Sequence, residues 1–245
     1  MKMFYKYCTY CRQDIRLKKL LFWIVACFMI TLHLLEVLPF MSVATRWHTL
    51  KDFILASLYE YFYIPIFLIL LAPFSAKDND WLLLRRFRHR QQFATYKICF
   101  VFIVTAFFTA VAFGSSMLST SLAKWLFSPY ITNYSALLLY VPEPKGNGSL
   151  LYFMYMFYCV TAIFGLLYIV FQQLFKNNFI SAIVVMVLGM LDRYIKHFVY
   201  IAFNKTEFTS PISTFFIIVA IMILLINTIH YLVNKLDFYV RDDDS

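Results

Sequence analysis

The stretch SAKDNDWLLLRRFRHRQQFATYK, residues 75–97, is a long polar segment between two strongly apolar blocks. It carries six Lys and Arg residues against only two Asp residues. Basic loops between membrane spans stay on the cytoplasmic side of the membrane. We therefore expect this segment to face the cytoplasm, which in turn predicts the direction of every span around it.

The composition is typical of a membrane protein. The 245 residues are 62% hydrophobic and 14% charged, whereas soluble domains are about 25% charged. At about 20 residues per helical span, the chain has room for about six spans and for no separate soluble domain. The net charge of +9 comes from residues beside the apolar blocks, where they meet anionic lipid, so we expect no nucleic-acid partner.

The apolar blocks predict one all-α transmembrane domain, residues 1–245, with six transmembrane helices and both termini in the cytoplasm. The predicted spans are residues 20–38, 53–74, 98–118, 150–172, 179–191 and 212–233. Pro65 should kink the second span because it lacks an N–H group. The fifth is too short to span alone, so a broken hairpin over residues 194–211 is expected to dip back from outside. With this layout 15 of the 22 Lys and Arg residues lie inside and 7 outside.

Residues 1–19 have apolar residues at helical spacing, with basic residues filling much of the rest. This periodicity predicts an amphipathic helix on the inner membrane surface. A plain positive-inside anchor is the alternative. Cys8 and Cys11 have the spacing of half a zinc site, but no second pair follows, so we expect no metal.

The sequence contains no hydrolase motif and no phosphate-binding loop. His33 and Glu36, three residues apart on one helix face, are the one local candidate for chemistry. We therefore expect no catalytic residue, no cofactor and no ATP hydrolysis in this chain. Glu60 is unusual because a carboxylate inside a span is costly. It either lines a translocation route or reaches the outer headgroups, where Arg46 or Lys51 could pair with it.

The basic segment itself allows two interpretations. It is either an anchor for topology and anionic lipid, or a docking helix whose apolar ridge contacts a cytoplasmic partner. The ridge residues Trp81, Leu84 and Phe87 favour docking, because an anchor needs no such ridge.

These features together resemble the ABC-2 type permeases, the membrane subunits of type V ABC exporters. Residues 81–90, WLLLRRFRHR, followed by Lys97 and Ile98, are similar to the I-R-F-x-x-R…K-I pattern of small permeases from low-GC Gram-positive bacteria. Many of those export antimicrobial peptides or give immunity to a bacteriocin. The resemblance implies a multi-pass protein of the bacterial cytoplasmic membrane.

The resemblance also implies partners. These are a dimeric ATPase subunit that supplies ATP and Mg²⁺ chemistry, and a second permease copy or a paralogous permease. The residues that it places at the ATPase interface are Phe4, Tyr7, Cys11, Ile15, Trp81, Leu84, Arg85, Arg86, Phe87, Arg88 and Arg90. Two rival classes stay open: a membrane-embedded enzyme of lipid chemistry, and a non-transporting immunity or sensor protein.

The predicted topology can be tested with reporter fusions. Fusions at Lys97 and Ser245 should report a cytoplasmic location, and a fusion at Gly146 should report an external one. A cytoplasmic Gly146 would contradict the six-span layout.

Overall fold

The computed structural model of the protein describes residues 19–37, 59–72, 90–127, 147–195 and 211–235. All of the secondary structure in these ranges is helical, as predicted. The helices are α1 (Lys19–Val37), a π-helical turn (Tyr59–Tyr63) that leads into α2 (Ile64–Leu71), α3 (Arg90–Phe127), α4 (Asn147–Phe175), α5 (Asn178–Ile195) and α6 (Pro211–Lys235).

Three segments of these helices are long and apolar enough to cross a membrane, namely Gln91–Leu122, Phe153–Phe175 and Phe215–Lys235. A helix of about 20 apolar residues matches the hydrocarbon thickness of a bilayer. Three shorter apolar helical segments, Lys19–Leu35, Tyr59–Leu71 and Asn178–Asp192, accompany them in the described parts of the chain. The protein is therefore a helical membrane protein by composition and length of its helices.

The segment Tyr59–Leu71 lies at the centre of the helix packing. It contacts α1, α3, α4 and α5. Most of its side chains are buried, and Tyr63, Phe67 and Leu68 have no exposed surface. Pro65 is the second residue of α2, directly after the π-helical turn. A proline removes one backbone hydrogen bond from the preceding turn, and the change of helix type occurs at this point.

A tight turn joins α4 to α5. Lys176 has φ = 52°, a left-handed conformation that ends helices. Asn177 then caps α5, since its Oδ1 accepts hydrogen bonds from the backbone N–H groups of Phe179 and Ile180 at 2.9 and 3.3 Å. Because two residues reverse the chain, α4 and α5 lie side by side and run in opposite directions.

The last four helices, α3 to α6, each extend past the span expected from the sequence. α3 begins at Arg90 and so includes the end of the basic segment, and α5 continues through Asp192 to Ile195. Charged residues at a helix end can reach the headgroup region without breaking the helix. The first charged residue after an apolar block therefore does not mark where the helix ends. The hairpin was predicted over residues 194–211, but Tyr194 and Ile195 are helical residues of α5, and Pro211 begins α6. The predicted helix over residues 1–18, residues 81–89 of the basic segment and residues 196–210 lie outside the described residues.

Two helical glycines give a matched test of the packing. A Cβ atom at Gly165 would lie 2.7 Å from Val101 Cγ1 and 3.1 Å from the Phe67 ring, whereas one at Gly114 would have open space. Gly114→Ala should raise the free energy of unfolding by up to about 1 kcal/mol through helix propensity. Gly165→Ala should lower it by about 1 kcal/mol or more, because overpacking outweighs that gain.

Thermal unfolding of the two variants in the same detergent measures the difference. Equal shifts in the midpoint would contradict the close approach of α4 to α3 and α2.

Candidate functional site

A buried histidine joins three helical elements. His33 on α1 has no exposed surface. Its Nδ1 lies 2.8 Å from Ser115 Oγ on α3, and its Nε2 lies 2.5 Å from the Tyr63 hydroxyl on the π-helical turn. Three segments that are far apart in the sequence therefore meet at one imidazole ring.

The neighbouring bonds assign a direction to this chain of hydrogen bonds. Ser115 Oγ donates to the Ala112 carbonyl oxygen at 3.0 Å, which occupies its single proton. With this assignment, the tautomer that carries its proton on Nδ1 satisfies both ring nitrogens: Nδ1–H donates to Ser115 Oγ, and Nε2 accepts from the Tyr63 hydroxyl.

A second tyrosine of the same turn makes a parallel bond. The Tyr59 hydroxyl lies 2.8 Å from Thr161 Oγ1 on α4. Thr161 Oγ1 donates to the Phe157 carbonyl oxygen at 2.7 Å, so Tyr59 is the donor to Thr161. The two tyrosine rings stack at 5.9 Å. Glu60, only 4% exposed, lies next to Tyr59 on the buried side of this turn.

We call His33, Tyr59, Glu60, Tyr63, Ser115 and Thr161 the polar cluster. Its hydroxyl, imidazole and carboxylate groups can donate and accept hydrogen bonds in a mostly apolar interior. Small polar residues on α3 bring α1 close to it: Ser119 Oγ, for example, donates to the Ile30 carbonyl oxygen at 2.9 Å. Small side chains permit such close helix packing inside a membrane.

A separate set of polar contacts lies at the other end of α3. Lys97, 4% exposed, donates to Gln172 Oε1 at 3.3 Å and lies over the Phe93 ring, 4.6 Å from its centroid. Gln172 Nε2 donates to Asn178 Oδ1 at 2.9 Å. We call Lys97, Gln172 and Asn178 the lysine link. It connects the end of the basic segment to the turn between α4 and α5.

The structure describes only part of the predicted sites. Glu60 is buried among helices, while Arg46 and Lys51, its proposed alternative partners, lie outside the described residues. So do the proposed ATPase-interface residues, except that Arg90 is the first residue of α3. His33 bonds to Ser115 and Tyr63 on two other helices, while the side chain of Glu36, with which the sequence pairs it, lies outside the described residues.

Sequence reasoning missed Tyr59, Tyr63, Ser115 and Thr161 as partners. One signal was available: residues 59–63, YEYFY, put three hydroxyls and a carboxylate just before Pro65 in an apolar span. Residues 114–121, GSSMLSTS, are similarly rich in small polar side chains. Neither pattern says which helices meet, so the hydrogen-bond partners required the fold.

Within the described ranges, no group of three or more His, Cys, Asp or Glu side chains is placed to hold a metal ion. A scan of family models, a search of curated proteins and a search of solved structures each find no match to this chain.

The bond between Tyr63 and His33 can be tested by stability. Tyr63→Phe removes the hydroxyl that donates to Nε2 and leaves that buried nitrogen without this donor. The free energy of unfolding should fall by about 1–3 kcal/mol, the usual cost of a buried polar group that loses its partner. Thermal or denaturant unfolding in detergent measures the loss.

Tyr194→Phe is the matched control because Tyr194 on α5 is 77% exposed. Its effect should stay within about 0.5 kcal/mol, as for most surface changes. Equal effects of the two variants would contradict the structural role of the Tyr63 bond.

Proposed function

We propose that this chain is the membrane-spanning permease subunit of an ABC transporter, with energy from ATP hydrolysed by a separate subunit. Its cargo is a peptide or another amphipathic, lipid-like compound, and its location is the bacterial cytoplasmic membrane. The observation that carries the proposal is the polar cluster, which places Glu60 and His33 between packed apolar helices.

The polar cluster favours a transport function because burying its ionisable groups costs free energy. Removing an ionisable group from water costs several kcal/mol unless other polar groups compensate. Ionisable residues within membrane helices therefore usually mark substrate or ion pathways. A core that served stability alone would use apolar side chains at these positions, as the neighbouring Phe67, Phe108 and Phe157 do.

The local backbone supports a moving element at the same place. Short π-helical segments inside α-helices are frequent at functional sites, and Pro65 removes a backbone bond just after this one. Two tyrosine hydroxyls hold the turn, one to α1 and one to α4. Exchanging these bonds for bonds to a cargo would let α1 and α4 separate around the turn.

In this proposal the lysine link transmits a movement of the ATPase subunit to the helices inside the membrane. By resemblance, residues 81–90 and the N-terminal segment contact the ATPase subunit. Lys97 lies seven residues after Arg90 on the same helix and binds Gln172 near the α4–α5 turn. A displacement of the basic segment would therefore be passed to both α3 and α4.

The rival enzyme class has less support from this geometry. In a catalytic Ser–His pair the serine hydroxyl donates to the imidazole. Here Ser115 Oγ donates to a backbone carbonyl, and with the tautomer assigned above it accepts from His33. A serine bonded in this way is not activated as a nucleophile, which favours a role in holding helices together.

Glu60→Gln tests the proposal, because it keeps the shape of the side chain and removes its charge. The assay is ATP-dependent uptake of a labelled cationic amphipathic peptide by everted membrane vesicles that contain the chain and its ATPase. Uptake should fall about tenfold or more, since a hydrogen bond to a charged group contributes about 1.5–3 kcal/mol.

The control is Asp192→Asn, which neutralises a carboxylate near the end of α5, outside the polar cluster, and should leave uptake within about twofold of the parent. Co-purification with the ATPase shows that each variant still assembles. Unchanged uptake with Glu60→Gln would contradict a role for this carboxylate on the cargo route.

A further inference from the structure

Two buried threonines on α3 have no hydrogen-bond partner. Thr105 is 0% exposed and Thr109 is 6% exposed, and neither Oγ1 atom bonds to any residue that the structure describes. A threonine hydroxyl inside a helix can donate to the carbonyl oxygen of the residue four positions earlier. Five other threonines of the described helices make that bond, namely Thr31, Thr95, Thr120, Thr161 and Thr228. Thr105 and Thr109 are therefore exceptions within this chain.

Both threonines lie where α3 packs against α4. A Cβ atom at Gly165 of α4 would lie 2.7 Å from Val101 Cγ1, and Phe113 packs against two phenylalanine rings of α4. Successive residues of an α-helix are turned by about 100°. Measured around the axis from Val101, Thr105 lies at about 40° and Thr109 at about 80°. Phe113 lies at about 120°, so both threonines lie between two residues that contact α4.

An unpartnered hydroxyl at this interface costs free energy. A buried polar group that has exchanged its hydrogen bonds to water for none destabilises the conformation that buries it. Valine has nearly the same shape without the hydroxyl, so a permanent contact between α3 and α4 would be more stable with valine at both positions. The hydroxyls become favourable when α3 and α4 separate here, because water then bonds to both of them.

The contacts on either side of the two threonines indicate where water enters. Toward the polar cluster, aromatic rings fill the interface: the Phe113 ring centroid lies 5.7 Å from that of Phe157 and 6.1 Å from that of Phe153. Toward the other end of α3 the contact is polar, since Lys97 donates to Gln172 at 3.3 Å. Polar groups exchange their bonds for bonds to water at a lower cost than packed rings do, so the entrance lies at the lysine link.

We propose that Thr105 and Thr109 line a water-filled passage that opens between α3 and α4 from the lysine link. Its role rests on the proposed function, because the passage is then the cytoplasmic part of the cargo route. The two threonines follow Lys97 by about 12 and 18 Å along the helix axis. The passage ends after Thr109, at the aromatic contacts of Phe113. Water bonds to the two hydroxyls only in the open conformation, so they shift the equilibrium away from the closed one.

Thermal unfolding in detergent gives a first test. Thr105→Val and Thr109→Val each remove a hydroxyl that has no partner in the closed conformation. Each should therefore raise the unfolding midpoint by about 2–4 °C. Thr161→Val is the matched control and should lower the midpoint, because Thr161 accepts a hydrogen bond from the Tyr59 hydroxyl. An unchanged or lower midpoint with either Thr105→Val or Thr109→Val would overturn the proposal.

Thiol labelling measures the opening itself. A Thr105→Cys chain with the five native cysteines replaced is treated in everted vesicles, without ATP, with a membrane-impermeant thiol reagent. The new thiol reacts only while the passage is open. Adding Thr109→Val should slow the reaction about tenfold, because it favours the closed conformation. Adding Thr120→Val instead should leave the rate within about twofold, because the Thr120 hydroxyl is bonded to the Ser116 carbonyl oxygen in either conformation.

Three results of the labelling would each overturn the proposal. They are no reaction at position 105 in everted vesicles, a faster reaction in right-side-out vesicles, and equal rates with and without Thr109→Val. Neither test uses ATP, cargo or a partner subunit, so the passage and the permease function fail or stand separately.

Discussion

The hydrogen bonds of the buried turn Tyr59–Tyr63 are the constraint on which the helix arrangement depends. Inside a membrane no water is present to satisfy polar groups, so each one needs a partner from the protein. Tyr63 is hydrogen-bonded to His33 on α1, and Tyr59 is hydrogen-bonded to Thr161 on α4. Together with the bond from His33 to Ser115 on α3, these bonds fix how α1, α3 and α4 surround this turn, which apolar packing alone would not specify.

The polar cluster and the lysine link are mechanically connected. Ser115 and Lys97 are 18 residues apart on α3, which corresponds to about 27 Å along a straight helix. Thr161 and Gln172 are about 16 Å apart on α4 by the same measure. Two continuous helices thus join both polar sites, so a movement that begins at the lysine link reaches the polar cluster without an intervening loop.

Local sequence signals predicted the helical class and the apolar blocks, because lipid demands long apolar runs whatever the tertiary structure. They also identified Glu60, since one carboxylate in an apolar run is conspicuous. They failed for His33, whose partners Ser115 and Tyr63 lie 82 and 30 residues away. The fifth span was predicted to end at residue 191, before Asp192, but α5 continues to Ile195. A charged residue such as Asp192 is compatible with the last turn of a helix near the headgroups. Helix length is a local property, whereas helix pairing is not.

The central claim, that the polar cluster lies on a route through the membrane, is tested most directly at Ser115. Ser115→Cys changes one atom, and Ala112→Cys, equally buried one turn earlier on α3, is its control. Each is placed in a cysteine-free chain and treated with a membrane-impermeant thiol reagent, with and without ATP turnover by the partner. Cysteine at 115 should react during turnover and be protected at rest, while cysteine at 112 stays protected. Protection of both under every condition would contradict the account.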